Sequence, residues 1–410
     1  MSRPVWRTLA LAAAWWPALA GAAPLTLEQA LDLAVQRSFA TRAARAAASG
    51  AAEAARAAGQ LPDPTLSVGV ENLPATGPDR FDTTRDFQTM KRIGISQEWV
   101  SAEKRSARAA AARAMGEREQ VAARAAAAEA RLQTALAYVD AWYAGEALAL
   151  ATLDEHHAHE ALEVGKARLA TTAGSSPEVL ALAASLGMAQ DASAEVRQRQ
   201  SLAAVALQRW VGVAADELGA PALDALPSEA AFVSGHPVVA LRQREIEVAR
   251  QDAAATATNR KPNWTWAVSY AQRTGFSDML TVGVSIPLTV APAERQDRET
   301  ASKLALVERA EAELAEAQRD AAAEHAAWAS DARRLQERLE RFRAAVLVPA
   351  GQRTAAATAA YRSNQGSLVM LFESRHAEVE AQRKLLDLQR DLARTQARMA
   401  YRPLVIGGAP

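Results

Sequence analysis

The chain changes its hydrophobic period twice, at matching places, and that repetition constrains its fold more than any other feature. In "LPDPTLSVGVENLP", residues 61–74, the apolar residues leave helical spacing and alternate strictly. Two hundred residues on, "KPNWTWAVSYAQ" at 261–272 does the same, again just after a long helical run closed by proline. A change from period 3.6 to period 2 marks a change from helix to strand. The rest of the chain repeats with it, at an offset of roughly 190 to 200: Pro62 matches Pro262, "RIGIS" at 92 matches "TVGVS" at 281, "SAEKR" at 101 matches "APAER" at 291, and "GSSPEVL" at 174 matches "GSLVMLF" at 366. The chain is one unit written twice: helix, two strands, long helix, turn, helix.

The first repeat is expected over 24–212, with a helix at 26–60, strands at 64–73 and 89–100, a long helix at 101–170 and a helix at 176–212. Thr26, with Gln29 three residues later, opens the first helix as a capping box. No proline interrupts 101–170, and Leu132, Leu136, Val139, Tyr143, Leu150 and Leu153 recur at a and d spacing, with Glu146 as the polar interruption. Such a helix is ~105 Å long. A Pro- and Gly-bearing linker is expected at 213–237. The second repeat, 238–402, then gives a helix at 238–260, strands at 263–272 and 278–290, a long helix at 292–361 and a helix at 367–402, before a tail at 403–410. Residues 1–23 precede all of this. Arg3 and Arg7, an apolar run broken by Pro17, and the small residues Ala20 to Ala23 have the layout of a cleaved export signal.

Composition limits what these elements can build. Aromatics are 5% and Ala dominates the apolar half, which favours long, thin, closely packed helices over thick cores. Basic and acidic residues number 47 each, and removing Arg3 and Arg7 leaves a net charge of about −2, so nucleic acid is not an expected partner. Cysteine is absent, which excludes disulfides, thiolate metal sites and a lipidated N-terminal thiol.

Each strand has one apolar and one polar face. Leu66, Val68 and Val70 oppose Ser67, Gly69 and Glu71; Ile93, Ile95 and Trp99 oppose Arg92, Gly94, Ser96 and Glu98. Trp264, Trp266, Val268 and Tyr270 alternate with Thr265, Ala267 and Ser269, and Leu280, Val282, Val284 and Ile286 with Thr281, Gly283 and Ser285. At roughly 9 to 11 residues, each is long enough to cross a bilayer obliquely. Soluble hairpins packed on the protein's own helices are the alternative. Four strands cannot close on themselves, and a sheet in lipid must close. Two copies would give eight strands and three would give twelve.

With "LPDPTLSVGVENLP", "RIGISQEWVSAEKRSARA" at 92–109 and "AYRSNQGSLVMLFESR" at 360–375, the chain resembles the TolC-type outer-membrane efflux channel family over nearly its whole length. The first stretch resembles the family's heavy-metal (cobalt-zinc-cadmium/copper) cation efflux branch. The resemblance implies a mostly α fold with a small β part: a homotrimer whose four strands per chain form a twelve-strand transmembrane β-barrel in outer-membrane lipid, continued by a periplasmic tunnel of long helices. It implies a periplasmic adaptor (membrane fusion) protein and an inner-membrane RND-type pump as partners, and no enzymatic activity or cofactor. Drug efflux, type I secretion and a soluble periplasmic coiled-coil scaffold are the alternative functions. The segments 74–88 and 273–278 are then outward loops. The two turns that end the long helices, carrying Thr172, Gly174, Ser175 and Asn364, Gly366, Ser367, are the tips that meet the adaptor, with Gly174 and Gly366 expected at positive φ. Family members place acidic residues just beyond these tips as a pore gate; here the positions fall on Glu178, Glu373 and Met370, the last a departure from the acidic pattern.

One further stretch suggests chemistry. "DEHHAHE", residues 154–160, holds three of the six histidines, and His156, His157, His159 and Glu160 are candidate ligands for Zn²⁺ or Co²⁺ through i, i+4 pairs, with a plain solvated helix face as the alternative.

Overall fold

The computed structural model describes residues 24–171, 174–214 and 217–404, so the expected export signal at 1–23 lies outside the described residues, as does Thr172. The expected capping box is present: the Gln29 amide donates to Thr26 Oγ1 (3.3 Å), and the Thr26 amide donates to Gln29 Oε1 (3.1 Å). The helix it opens is not single. It divides into α1 (Leu27–Arg37) and α2 (Phe39–Ala58), because Ser38 adopts extended geometry and its hydroxyl accepts from the Thr41 amide at 3.1 Å, restarting the helix as an N-cap.

Strands β1 (Thr65–Glu71) and β2 (Met90–Trp99) follow, then α3 (Ala102–Ala170), a continuous helix of 69 residues, and α4 (Ser176–Val211), which folds back along it. The upper half of α3 buries Leu132 and Val139 as the spacing requires, but below Glu146 the buried row passes to Ala151, Asp154, Ala158, Ala161 and Gly165. Leu153 is left exposed at 42%. The small residues set the distance between helices: a Cβ on Gly165 would lie 2.7 Å from Leu182 Cδ1 of α4.

The stretch between repeats is more structured than a linker. Leu25 and Leu218 form a parallel bridge, and the buried hydroxyl of Tyr138 lies 2.6 and 2.7 Å from the carbonyls of Leu25 and Gly219, so the chain's start and the inter-repeat segment are tied to one point on α3. Ser228 then caps a short helix, α5 (Glu229–Gly235), and α6 (Pro237–Ala257) begins at once. Strands β3 (Trp264–Arg273) and β4 (Met279–Ser285) lead into α7 (Gln296–Phe342). The alternation to Val290 predicts a longer β4, but β3, its antiparallel partner, begins only at Trp264, Pro287 has no N–H to donate, and Ile286 to Val290 run unpaired, with Ile286, Leu288 and Val290 exposed.

The expected long helix of the second repeat starts later than 292 and is interrupted. Residues Arg343–Leu347 form a π-helical turn, in which the Val348 amide donates to the carbonyl of Arg343, and α8 (Val348–Arg362) continues below it. Pro349 explains the break, since it cannot donate to Ala345 and its ring crowds that carbonyl. After the tip, α9 (Leu368–Tyr401) returns along α3 and α7. Among the described residues no helix is long and apolar enough to cross a membrane.

Candidate membrane-facing sheet and tip hairpins

The four strands form one antiparallel sheet in the order β1-β2-β3-β4, so the two repeats join edge to edge at β2 and β3. Register decides which side chains share a face, since a slip of one residue would invert a strand. Leu66 lies opposite Ile95, Ile95 opposite Val268, and Val268 opposite Val282; one row further, Val68, Ile93, Tyr270 and Leu280 align. Two complete apolar rows therefore cross the sheet. Towards the helices they continue as Trp266 beside Val284 and as Trp99 beside Trp264, whose rings lie 5.8 Å apart. At the other end Val70, Lys91 and Gln272 make the row polar, and Phe87 and Phe276 meet at 6.1 Å in the loops beyond. From Trp264 to Gln272 is about 27 Å along the strand.

This face has no cover. Val68 is 75% exposed and Val282 69%, and among the described residues no helix packs extensively on the sheet. The reverse face carries Ser67, Gly94, Ser269 and Thr281 in one row, with Arg92 above them donating to Ser269 Oγ at 2.8 Å and pairing with Glu71. Gly94 is required there, because a Cβ would meet Ser269 Cβ at 2.8 Å and Ser67 Oγ at 3.0 Å. Strands β1 and β4 each pair on one side only and leave an open edge.

A junction missed by sequence reasoning holds the sheet on the helices. Lys104, in the first turn of α3, is buried and donates to the carbonyl of Lys261 (2.8 Å) and to Asn263 Oδ1 (2.9 Å), while Asn263 donates to Glu98 (2.6 Å). Its only sequence signal is a lysine just inside an N-cap, a place where helices favour acids.

The second tip differs from expectation in where it spends its left-handed residue. Gly366 is not at positive φ; that value belongs to Asn364, at 58°. The glycines are needed for close approach instead, since a Cβ on Gly174 would lie 2.9 Å from the Leu169 nitrogen and one on Gly366 would lie 3.1 Å from Ala360 Cβ. Ser175 and Ser367 cap the returning helices by accepting from the amides of Glu178 (3.4 Å) and Met370 (3.1 Å). Met370 and Glu373 are exposed, on the side of α9 opposite Leu368, Leu371 and Phe372, and Leu368 and Phe372 pack with Ala158, Ala161, Leu162 and Leu182. Glu178 is half-buried.

The histidine stretch does not converge. His156 Nε2 lies 3.3 Å from Glu160 Oε1, both largely exposed, whereas Glu155 pairs with Arg197 of α4 (3.0 Å) rather than with His159. His157 faces the groove beside α9, where burial and Arg375 push its pKa down. Among the described residues no group of three or more His, Asp or Glu could hold a metal ion. The stretch contributes a different contact: Asp154, 3% exposed, accepts from Nδ1 of His376 on α9 at 2.8 Å, a bond that raises the His376 pKa.

No protein-family model matches the chain, and no curated protein does either. Solved structures do. VceC, an outer membrane protein of the bacterial pathogen Vibrio cholerae, is similar with a TM-score of 0.72 and 18% identity, over 92% of this chain and 96% of that one. CusC is similar at 0.75 and 15% identity, over 92% and 91%, and the CmeC outer membrane channel of Campylobacter jejuni at 0.75 and 13%, over 92% and 85%. The chain has the outer-membrane channel fold. In that fold, long helices and a four-strand sheet occur together in each chain, and the uncovered sheet face and the two tip hairpins lie at opposite ends of α3.

Proposed function

We propose that this chain is a subunit of an outer-membrane channel of the TolC type, working as a homotrimer in a tripartite efflux system with a periplasmic adaptor and an inner-membrane pump. The observation that carries this reading is the register of the sheet, which aligns apolar side chains from all four strands on one uncovered face and small or polar ones on the other. Lipid suits the first face and an aqueous lumen the second. The open edges of β1 and β4 suit closure with further copies, because backbone in a bilayer must be fully paired. A soluble scaffold would have to leave the same apolar face in water.

Heavy-metal cations are the cargo this reading favours over drugs or secreted proteins, supported by the resemblance of "LPDPTLSVGVENLP" to the metal branch. The tips around Ser175 and Ser367 are the adaptor-facing end, and Glu178, Glu373 and Met370 line the gate there. Acidic rings at a narrow pore favour cations. No residue of the chain performs catalysis in this reading. Deleting the gene and measuring growth on a panel of metals and drugs tests the assignment: hypersensitivity confined to metal cations is expected, hypersensitivity confined to drugs overturns the choice of cargo, and no change on any of them overturns the efflux role.

A further inference from the structure

The C-terminal end of α9 is fastened to the stretch between the repeats, and the fastening is built around a buried histidine. His236 joins α5 to α6 and is 4% exposed. It holds the N-cap position of α6, yet its side chain makes no capping bond. Its ring lies against Phe232 of α5, 5.7 Å between centroids, and meets Arg402, the residue that closes α9. Arg402 Nε donates to His236 Nε2 at 3.3 Å, and Arg402 Nη1 donates to Glu129 of α3 at 3.2 Å. Two residues on, the Leu404 amide donates to the Gly235 carbonyl at 2.7 Å, and a Cβ on Gly235 would lie 3.1 Å from Pro403 Cβ. Pro403 and Leu404 are thus held against the residue before His236.

A second group competes for the same nitrogen. Glu324 Oε2 of α7 also lies 3.3 Å from His236 Nε2, and Glu324 Oε1 is 3.8 Å from Arg402 Nε. An imidazole nitrogen either accepts or donates. With one proton on the ring, Nε2 accepts from Arg402 and the proton sits on Nδ1, a buried atom without a partner. With two, Nε2 can only donate: Glu324 takes the bond, and the guanidinium of Arg402 faces another cation. Burial first, then Arg402, hold the His236 pKa below its ordinary value, with Glu324 opposing them. The N-terminus of α6 disfavours the same charge. The arrangement is therefore complete above the unfolded value of about 6.5 and is lost as pH falls. His325 of α7, its ring 5.3 Å from that of Phe232, is a further titratable group beside this joint.

We infer that His236, Arg402 and Glu324 form an acid-released clasp: protonation of His236 exchanges Arg402 for Glu324 at Nε2 and frees Pro403 and Leu404 from Gly235. With Arg402 displaced, the bond from the Leu404 amide is left to hold the segment, and segments held by few bonds open readily. The clasp makes the joint between the repeats sensitive to acid. Its contacts lie within one chain, so it stands whether or not the channel reading is right.

Hydrogen exchange on the intact protein, read by mass spectrometry at Leu404 and corrected for the intrinsic effect of pH on exchange, tests this. In the parent, protection of Leu404 is expected to fall about tenfold between about pH 7.5 and about pH 5, the change that one unit of pKa displacement produces. His236→Gln should keep its protection at the lower pH, because a neutral amide both accepts from Arg402 and donates to Glu324. That variant leaves His325 in place and so separates the two histidines. Glu324→Gln weakens the acceptor to which protonated His236 turns, and should move the transition to lower pH by about one unit. Equal protection of the parent at both pH values would overturn the clasp, and so would an acid loss in folded His236→Gln as large as the parent's. A transition unmoved or raised in Glu324→Gln would overturn the exchange of partners on which the clasp depends.

Discussion

At the residue scale, the second tip depends on Asn364 and Gly366 for different reasons, and substitutions separate them. Asn364 holds φ at 58°, a region that costs other L-residues roughly 1 kcal/mol, so Asn364→Gly is expected to be neutral and Asn364→Val to lower thermal stability. Gly366 lacks space rather than freedom, and Gly366→Val should cost about 1 to 3 kcal/mol through crowding against Ala360 and Tyr361. Melting temperatures of the three variants distinguish the roles; a Gly366→Val protein as stable as the parent would contradict the close approach. The Asp154–His376 bond makes a separate, pH-dependent contribution. The hydrogen bond that His376 donates to Asp154, and the charge of that carboxylate, raise the folded-state pKa of His376, so the stabilisation is complete below the unfolded value of about 6.5 and is lost as pH rises through the folded value. It should amount to no more than about 1 kcal/mol, because the His376 side chain is 43% exposed and screened by solvent. His157 acts in the opposite sense: burial lowers its pKa, so its contribution is present above the unfolded value and is lost as pH falls. Unfolding midpoints of parent and His376→Gln between pH 5.5 and 8.5 should therefore converge as pH rises, and a gap that widens with pH would contradict the assignment.

At the scale of elements, the sheet face gives the strongest contrast. Val68→Arg or Val284→Arg places a charge on the apolar face and should cost about 2 to 4 kcal/mol near a bilayer midplane, lowering the yield of assembled protein in the outer membrane. Ser67→Arg or Ser285→Arg, on the polar face, should be tolerated; equal tolerance at all four would contradict the membrane assignment. In bilayer recordings, Glu178→Gln with Glu373→Gln is expected to reduce cation selectivity, with Glu163→Gln on α3 having less effect; unchanged selectivity would leave both acids as first-turn residues favoured by the helix dipole. The strand faces were legible because period 2 assigns each side chain to a side without knowledge of its neighbour. The end of β4 was not, because pairing depends on where β3 starts, and Ile286 to Val290 keep the alternation without a partner. The division at Ser38 lacks a Pro or Gly to announce it. Pro349 was visible, but the apolar spacing on either side continues, and the π turn absorbs the extra residue without losing phase. Contacts such as Asp154 with His376 and Lys104 with Asn263 join residues more than 150 apart, and nothing in local pattern selects them.

For the whole molecule, the account requires several copies of this chain around one barrel, with β4 of each paired to β1 of the next. Within one chain those strands are separated by two others at about 4.8 Å spacing, beyond the reach of a disulfide. The parent has no cysteine, so any bond formed must come from an introduced pair and must join two chains. The most direct measurement is a scan of cysteine pairs, one within Thr65–Glu71 and one within Met279–Ser285, oxidised in outer membranes and resolved by denaturing electrophoresis. The result expected is a covalent trimer at the matching register, with dimer as its partial product and nothing larger. A chain recovered from those membranes as monomer at every register would contradict the closed barrel and the channel with it.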